Sequence, residues 1–75
     1  MDDLHDFLKT NFPSIKFEKS NTLIGDGLID SLDLFKIVSA LEEKYNISIP
    51  FEDITIENFN SLELISSLIK KLRNI

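Results

Sequence analysis

Few residues in this chain could do chemistry. It has 75 residues with no cysteine, and His5 is its sole histidine. Thiolate nucleophiles, disulfides and cysteine-based zinc or iron–sulfur sites are therefore excluded together. A serine–histidine–carboxylate relay would have to bring His5 to Ser31, and a domain this small has little room for a pocket that keeps water out. No enzymatic activity is expected. Asp26, Asp30 and Asp33 suggest calcium, but an EF-hand loop needs oxygen ligands at alternate positions and a closing Glu at the twelfth. Counted from Asp26, the third position is Leu28 and the twelfth is Ile37, so no metal site is expected. Gly25 and Gly27 lack the Gly-Lys-Ser/Thr that completes a phosphate-binding loop. What remains is Asp30-Ser31-Leu32. A serine in the first turn of a helix can hold a phosphodiester at the positive end of that helix, beside unpaired backbone N–H groups. The plainer reading makes Asp30 or Ser31 a cap and nothing more.

Both readings require a helix that opens at Ser31, and the pattern supplies one. Leu34, Phe35, Ile37, Val38, Leu41 and Tyr45 form a broad apolar stripe over Ser31 to Tyr45, with Asp33, Lys36, Glu43 and Lys44 on other faces. The helix should end near Asn46, because Ile49 precedes Pro50 and is pushed out of helical geometry. Leu4, Phe7, Leu8 and Phe12 predict an earlier amphipathic helix from Asp2 to Phe12, acidic at its head through Asp2, Asp3 and Asp6 and stopped by Pro13. Between the two lies a long irregular segment, Pro13 to Asp30. It offers Ile15, Phe17, Leu23, Ile24, Leu28 and Ile29 as anchors to a core, with a short unpaired strand at Ile15–Phe17 as one option. A short helical turn is expected around Ile54 to Phe59. A last helix from Ser61 to Arg73 follows, capped by Asn60 or Ser61, with Leu62, Leu64, Ile65, Leu68, Ile69 and Leu72 inward and Lys70, Lys71 and Arg73 at its negative end. The expected fold is all-α: three main helices plus one short helix in a small bundle with a long first loop, forming a single domain over residues 1–75.

Composition narrows the partners. The hydrophobic share is 43% and the charged share 28%, an ordinary globular balance, and the net charge is −5. Residues 26 to 63 hold nine acids and two bases, a local charge of −7. That argues against nucleic acid, which needs clustered Lys and Arg, and suits basic protein surfaces. No apolar run approaches the ~20 residues of a membrane span, and no targeting signal is visible. The chain reads as a cytoplasmic monomer, complete from its first Met.

Gly27-Leu28-Ile29-Asp30-Ser31-Leu32-Asp33-Leu34, followed by Leu41-Glu42-Glu43-Lys44-Tyr45-Asn46-Ile47-Ser48-Ile49-Pro50, resembles the acyl carrier protein family. Glu57-Asn58-Phe59-Asn60-Ser61-Leu62 is similar to that family's entry into its last helix. The resemblance implies that Ser31 bears 4′-phosphopantetheine, whose thiol carries an acyl or amino-acyl group as a thioester. It implies that Asp30, Leu32, Asp33, Leu34, Lys36 and Ser39 contact partners. Those partners would be a phosphopantetheinyl transferase, an acyl- or amino-acyl-activating ligase, and a downstream transferase or synthase in fatty acid or secondary metabolite biosynthesis. The chain departs from the fatty-acid-synthesis pattern in three ways. Lys36 and Lys44 interrupt the acidic face, Ser39 stands where a large apolar residue is usual, and Leu34 is more apolar than expected.

Six phenylalanines, with Phe35, Phe51 and Phe59 expected to fill the space between the helices, would leave little interior for a long chain. The expected cargo is therefore a short acyl, hydroxyacyl or amino-acyl group from a dedicated pathway. The alternative is an acidic helical interaction module that is never modified, with Leu32 and Leu34 as its exposed apolar contacts.

Overall fold

The computed structural model of the chain describes residues 2–73, without the side chain of Asp2, so the expectation for that carboxylate lies outside the described residues. The order is α1 (Asp2–Asn11), α2 (Ser31–Tyr45), α3 (Ile56–Phe59) and α4 (Leu62–Arg73), with single 3-10 turns at Phe17–Lys19 and Phe51–Asp53. Among the described residues there is no strand. The all-α bundle expected from the helical spacing is the observed one. The extended option at Ile15–Phe17 gives way to the 3-10 turn, because no second strand exists to pair with its backbone.

Four helix ends follow from local residues. Asp30 caps α2 by accepting a bond from Asp33 N–H at 2.8 Å. At the other end Asn46 turns left-handed (φ 55°), and its N–H bonds back to Glu42 O. Thr55 caps α3 through a bond from Asn58 N–H. At α4 the two expected cap candidates separate. The hydroxyl of Ser61 accepts from Leu64 N–H at 3.1 Å, while Asn60 faces elsewhere.

The buried apolar side chains form one cluster to which every helix contributes. Leu4 and Leu8 come from α1, Ile37, Val38 and Leu41 from α2, Phe59 from α3, and Ile65, Leu68 and Ile69 from α4. The long first loop adds Ile15, Phe17, Leu23 and Ile29, which accounts for how so long an irregular segment is held. The phenylalanine expectation needs correcting. Phe59 is fully buried, but Phe35 is 52% and Phe51 80% exposed. Phe35 lies outside the Ile37–Val38–Leu41 stripe of α2, and Phe51 sits on a surface turn. Leu64, expected inward, is exposed, and Ser66 is buried.

Away from the head of α2, side-chain contacts join α1 to α2 and α2 to α4. Lys44 Nζ lies 3.6 Å from Asp3 Oδ1 and 5.1 Å from the Phe7 ring centroid, and the Arg73 guanidinium stacks on Tyr45 at 5.1 Å. Partial burial, with Asp3 close by, pushes the Tyr45 phenol above its ordinary pKa. Lys44 therefore ties α1 to the end of α2.

Candidate functional site at the head of α2

The head of α2 meets the end of the first loop and the start of α3. Ser31 is exposed, and its hydroxyl is not spent as a cap because the Asp30 carboxylate takes Asp33 N–H. The first intrahelical bond is Leu34 N–H to Asp30 O at 2.9 Å, so the N–H groups of Ser31 and Leu32 remain open to an external acceptor. The plain cap reading thus belongs to Asp30 and leaves Ser31 free. An anion esterified to Ser31 would lie against those two N–H groups at the positive end of a fifteen-residue helix.

Beside Ser31 opens a groove of about 440 Å³ lined by Ile24, Gly27, Ile29, Asp30, Ser31, Leu34 and Ile56. Its walls come from three elements: Ile24 and Ile29 from the loop, Leu34 from α2 and Ile56 from α3. Apart from Asp30 and Ser31 the lining side chains are aliphatic. The loop wall is built on tight turns in which Asp26 N–H bonds Thr22 O, and Leu28 and Ile29 N–H both bond Leu23 O. Gly27 takes φ 78° there, a left-handed conformation that costs an L-residue with a side chain about 1–2 kcal/mol. Gly27→Ala is expected to lower stability by about 1 kcal/mol. Gly25→Ala, whose Cβ would meet Thr22 at an ordinary 3.7 Å, should change it by less than about 0.5 kcal/mol in denaturant titration. Next to this turn, hydroxyl bonds from Ser20 and then Thr22 hold the Asp26 carboxyl below its ordinary pKa. The folded state is the stronger acid, so the contribution is present at neutral pH and fades as the solution is acidified through the carboxylate range.

The residues expected to contact partners divide into two groups. Leu32, Lys36 and Ser39 stand exposed on one outer face at helical spacing, and Phe35 joins them. Asp30 turns to the groove with Ser31. Asp33 is half-buried. Leu34, expected to be exposed beside Leu32, is half-buried in the groove and packs on the core, because its place on the helix lies next to Ile37, Val38 and Leu41. Sequence reasoning missed Phe35 and Ile56, both more than half exposed near Ser31. The signal for Phe35 was available, since it sits three residues from exposed Leu32 and off the buried stripe.

His5 faces Glu18 at 3.7 Å and makes no hydrogen bond to Ser31. Among the described residues no group of three His, Asp or Glu side chains is placed to hold a metal, and no helix is long and apolar enough to cross a membrane.

Residues 27–69 match the family described as a phosphopantetheine attachment site, a span that opens at Gly27 and takes in α2, α3 and most of α4. An acyl carrier protein of Buchnera aphidicola subsp. Baizongia pistaciae (strain Bp) is 38% identical over 56 residues, covering 75% of this chain and 69% of that protein. No solved structure matches significantly. Motif, helix order and comparisons converge, and the chain belongs to the acyl carrier protein family, whose members carry covalently attached 4′-phosphopantetheine and transport groups without catalysing their conversion.

Proposed function

We propose that Ser31 is the attachment residue and that the chain, acting as one carrier domain over its 75 residues, presents a short acyl, hydroxyacyl or amino-acyl group from a dedicated pathway. The observation that carries the attachment reading is the division of labour at the head of α2. Asp30 does the capping, and the Ser31 hydroxyl stays exposed between two open N–H groups and an apolar groove. The residues present fit the group, since an anionic link finds donors and a positive helix end while the groove walls are aliphatic. When attached, the arm supplies a terminal thiol that holds its cargo as a thioester. The chain's own residues anchor the link, offer an apolar shelter and dock on enzymes. Coenzyme A and a phosphopantetheinyl transferase should add one phosphopantetheine mass, and failure to do so would favour the unmodified interaction module.

A short cargo is supported by the shallowness of the groove. Ile29 is the one lining residue that belongs to the buried core, so the groove stays at the surface of the bundle. That support replaces the argument from Phe35 and Phe51, which lie on the surface. Acyl groups of increasing length, loaded on the arm, should raise the Tm up to a short length and no further. Progressive stabilisation by long chains would overturn the short-cargo reading.

For docking, the outer face of Leu32, Phe35, Lys36 and Ser39, flanked by Asp30 and Asp33, suits a transferase or ligase surface with an apolar hollow and a mostly basic rim. Association with a transferase should weaken as salt rises, because exposed pairs are screened over ~8–10 Å. Asp33→Lys should slow association, and Phe35→Ala should speed dissociation with a stability change within about 0.5 kcal/mol. Lys70→Glu, at the far end of α4, should alter neither rate. Affinity indifferent to salt would remove the acidic part of this account.

A further inference from the structure

The wall of the groove next to Ser31 is loop, and one polar residue ties that part of the loop to a distant part of the chain. Asn60, at the junction of α3 and α4, accepts three backbone bonds from it. Leu23 N–H bonds the Asn60 main-chain oxygen at 2.7 Å, and Ile24 N–H bonds its side-chain Oδ1 at 2.8 Å, with Gly25 N–H at 3.4 Å from the same atom. Asn60 is free for this because Ser61 takes the capping of α4. A short polar side chain suits the task, since a single amide oxygen has two lone pairs and can serve two N–H groups in a half-buried place. The consequence is geometric. Ile24 is held over the groove by Asn60, and Ile56 reaches it from α3, the helix that Asn60 ends. The Ile24 wall therefore depends on a residue that does not itself line the groove.

We propose that Asn60 is a positioning residue that latches Leu23–Gly25 to the α3–α4 junction and thereby sets the shape of the groove in which a short acyl group is sheltered. The proposal rests on the reading of Ser31 and its groove given above. Without the latch, the Ile24 wall is free to swing away from Ile56 and Leu34, and a short apolar cargo loses one side of its contact. Asp at this position keeps an acceptor oxygen of similar reach and should preserve the latch, whereas Ala removes both side-chain bonds and leaves only the main-chain bond from Leu23.

The test uses the full chain in two measurements. Amide hydrogen exchange on the unloaded protein should show Ile24 exchanging about tenfold faster in Asn60→Ala than in the unsubstituted chain, with Ile37 and Ile65 unchanged and Asn60→Asp close to the parent. The second measurement is the Tm gained when a butyryl group is carried on the arm, loaded from butyryl-coenzyme A by a transferase. The parent and Asn60→Asp should gain about 4 °C or more, and Asn60→Ala less than half of that. If alanine prevents folding, Asn60→Ser, whose hydroxyl is too short to span to Ile24, takes its place in both measurements. Unchanged exchange at Ile24, or a full cargo gain in the Ala or Ser variant, overturns the latch alone. Absence of any gain in the parent overturns the groove reading, and the bearing of Asn60 on cargo with it.

Discussion

Ser31→Ala is expected to abolish incorporation of phosphopantetheine while leaving the protein folded. In mass spectrometry the parent chain, incubated with coenzyme A and a transferase, should move to a single species heavier by one phosphopantetheine, and the variant should stay at its apo mass. The effect is all-or-none because the hydroxyl oxygen is the atom that would be esterified. The fold should survive because Ser31 is exposed and its side chain caps nothing. That task belongs to the Asp30 carboxylate, 2.8 Å from Asp33 N–H. Asp30→Ala makes the complementary variant. It should cost about 0.5–2 kcal/mol of stability through the lost cap and still accept the group if supplied with enough transferase. Modification that persists in Ser31→Ala would reassign the site.

The second large effect is on stability. Phe59→Ala should cost about 3–5 kcal/mol, because a fully buried aromatic ring is replaced by a void that its neighbours fill only in part. A chain of this size has roughly 4–11 kcal/mol in all, so the variant should lose much of its stability, and its Tm should fall by more than about 12 °C. Phe51→Ala, which removes a ring that is 80% exposed, should shift stability by less than about 0.5 kcal/mol. Denaturant titration of the two variants would check the contrast directly. Equal losses would mean that Phe51 is buried in solution.

By itself the sequence determined the helices and singled out Ser31 as the candidate for attachment. The stripe of Ile37, Val38 and Leu41, the cap at Asp30 and the stop at Asn46 act within a few residues of one another, and local signals of that kind are legible without a fold. The isolation of Ser31 as a chemical candidate was equally local, since it followed from the missing cysteine, the lone histidine and the failed metal spacing. Tertiary structure decided what depends on contacts across long sequence separations. Six phenylalanines look alike in a list, and only packing put Phe17 and Phe59 inside while leaving Phe35 and Phe51 in solvent. Leu34 and Leu32, two residues apart, fell to the groove and to the outer face because a helix turns about 200° over that step. Lys44 met Asp3 and Phe7 across the chain, and Asn60 became the anchor of a loop more than thirty residues earlier. Such pairings depend on where the backbone folds back on itself, and that is set by the whole core at once, not by the neighbours of any one residue.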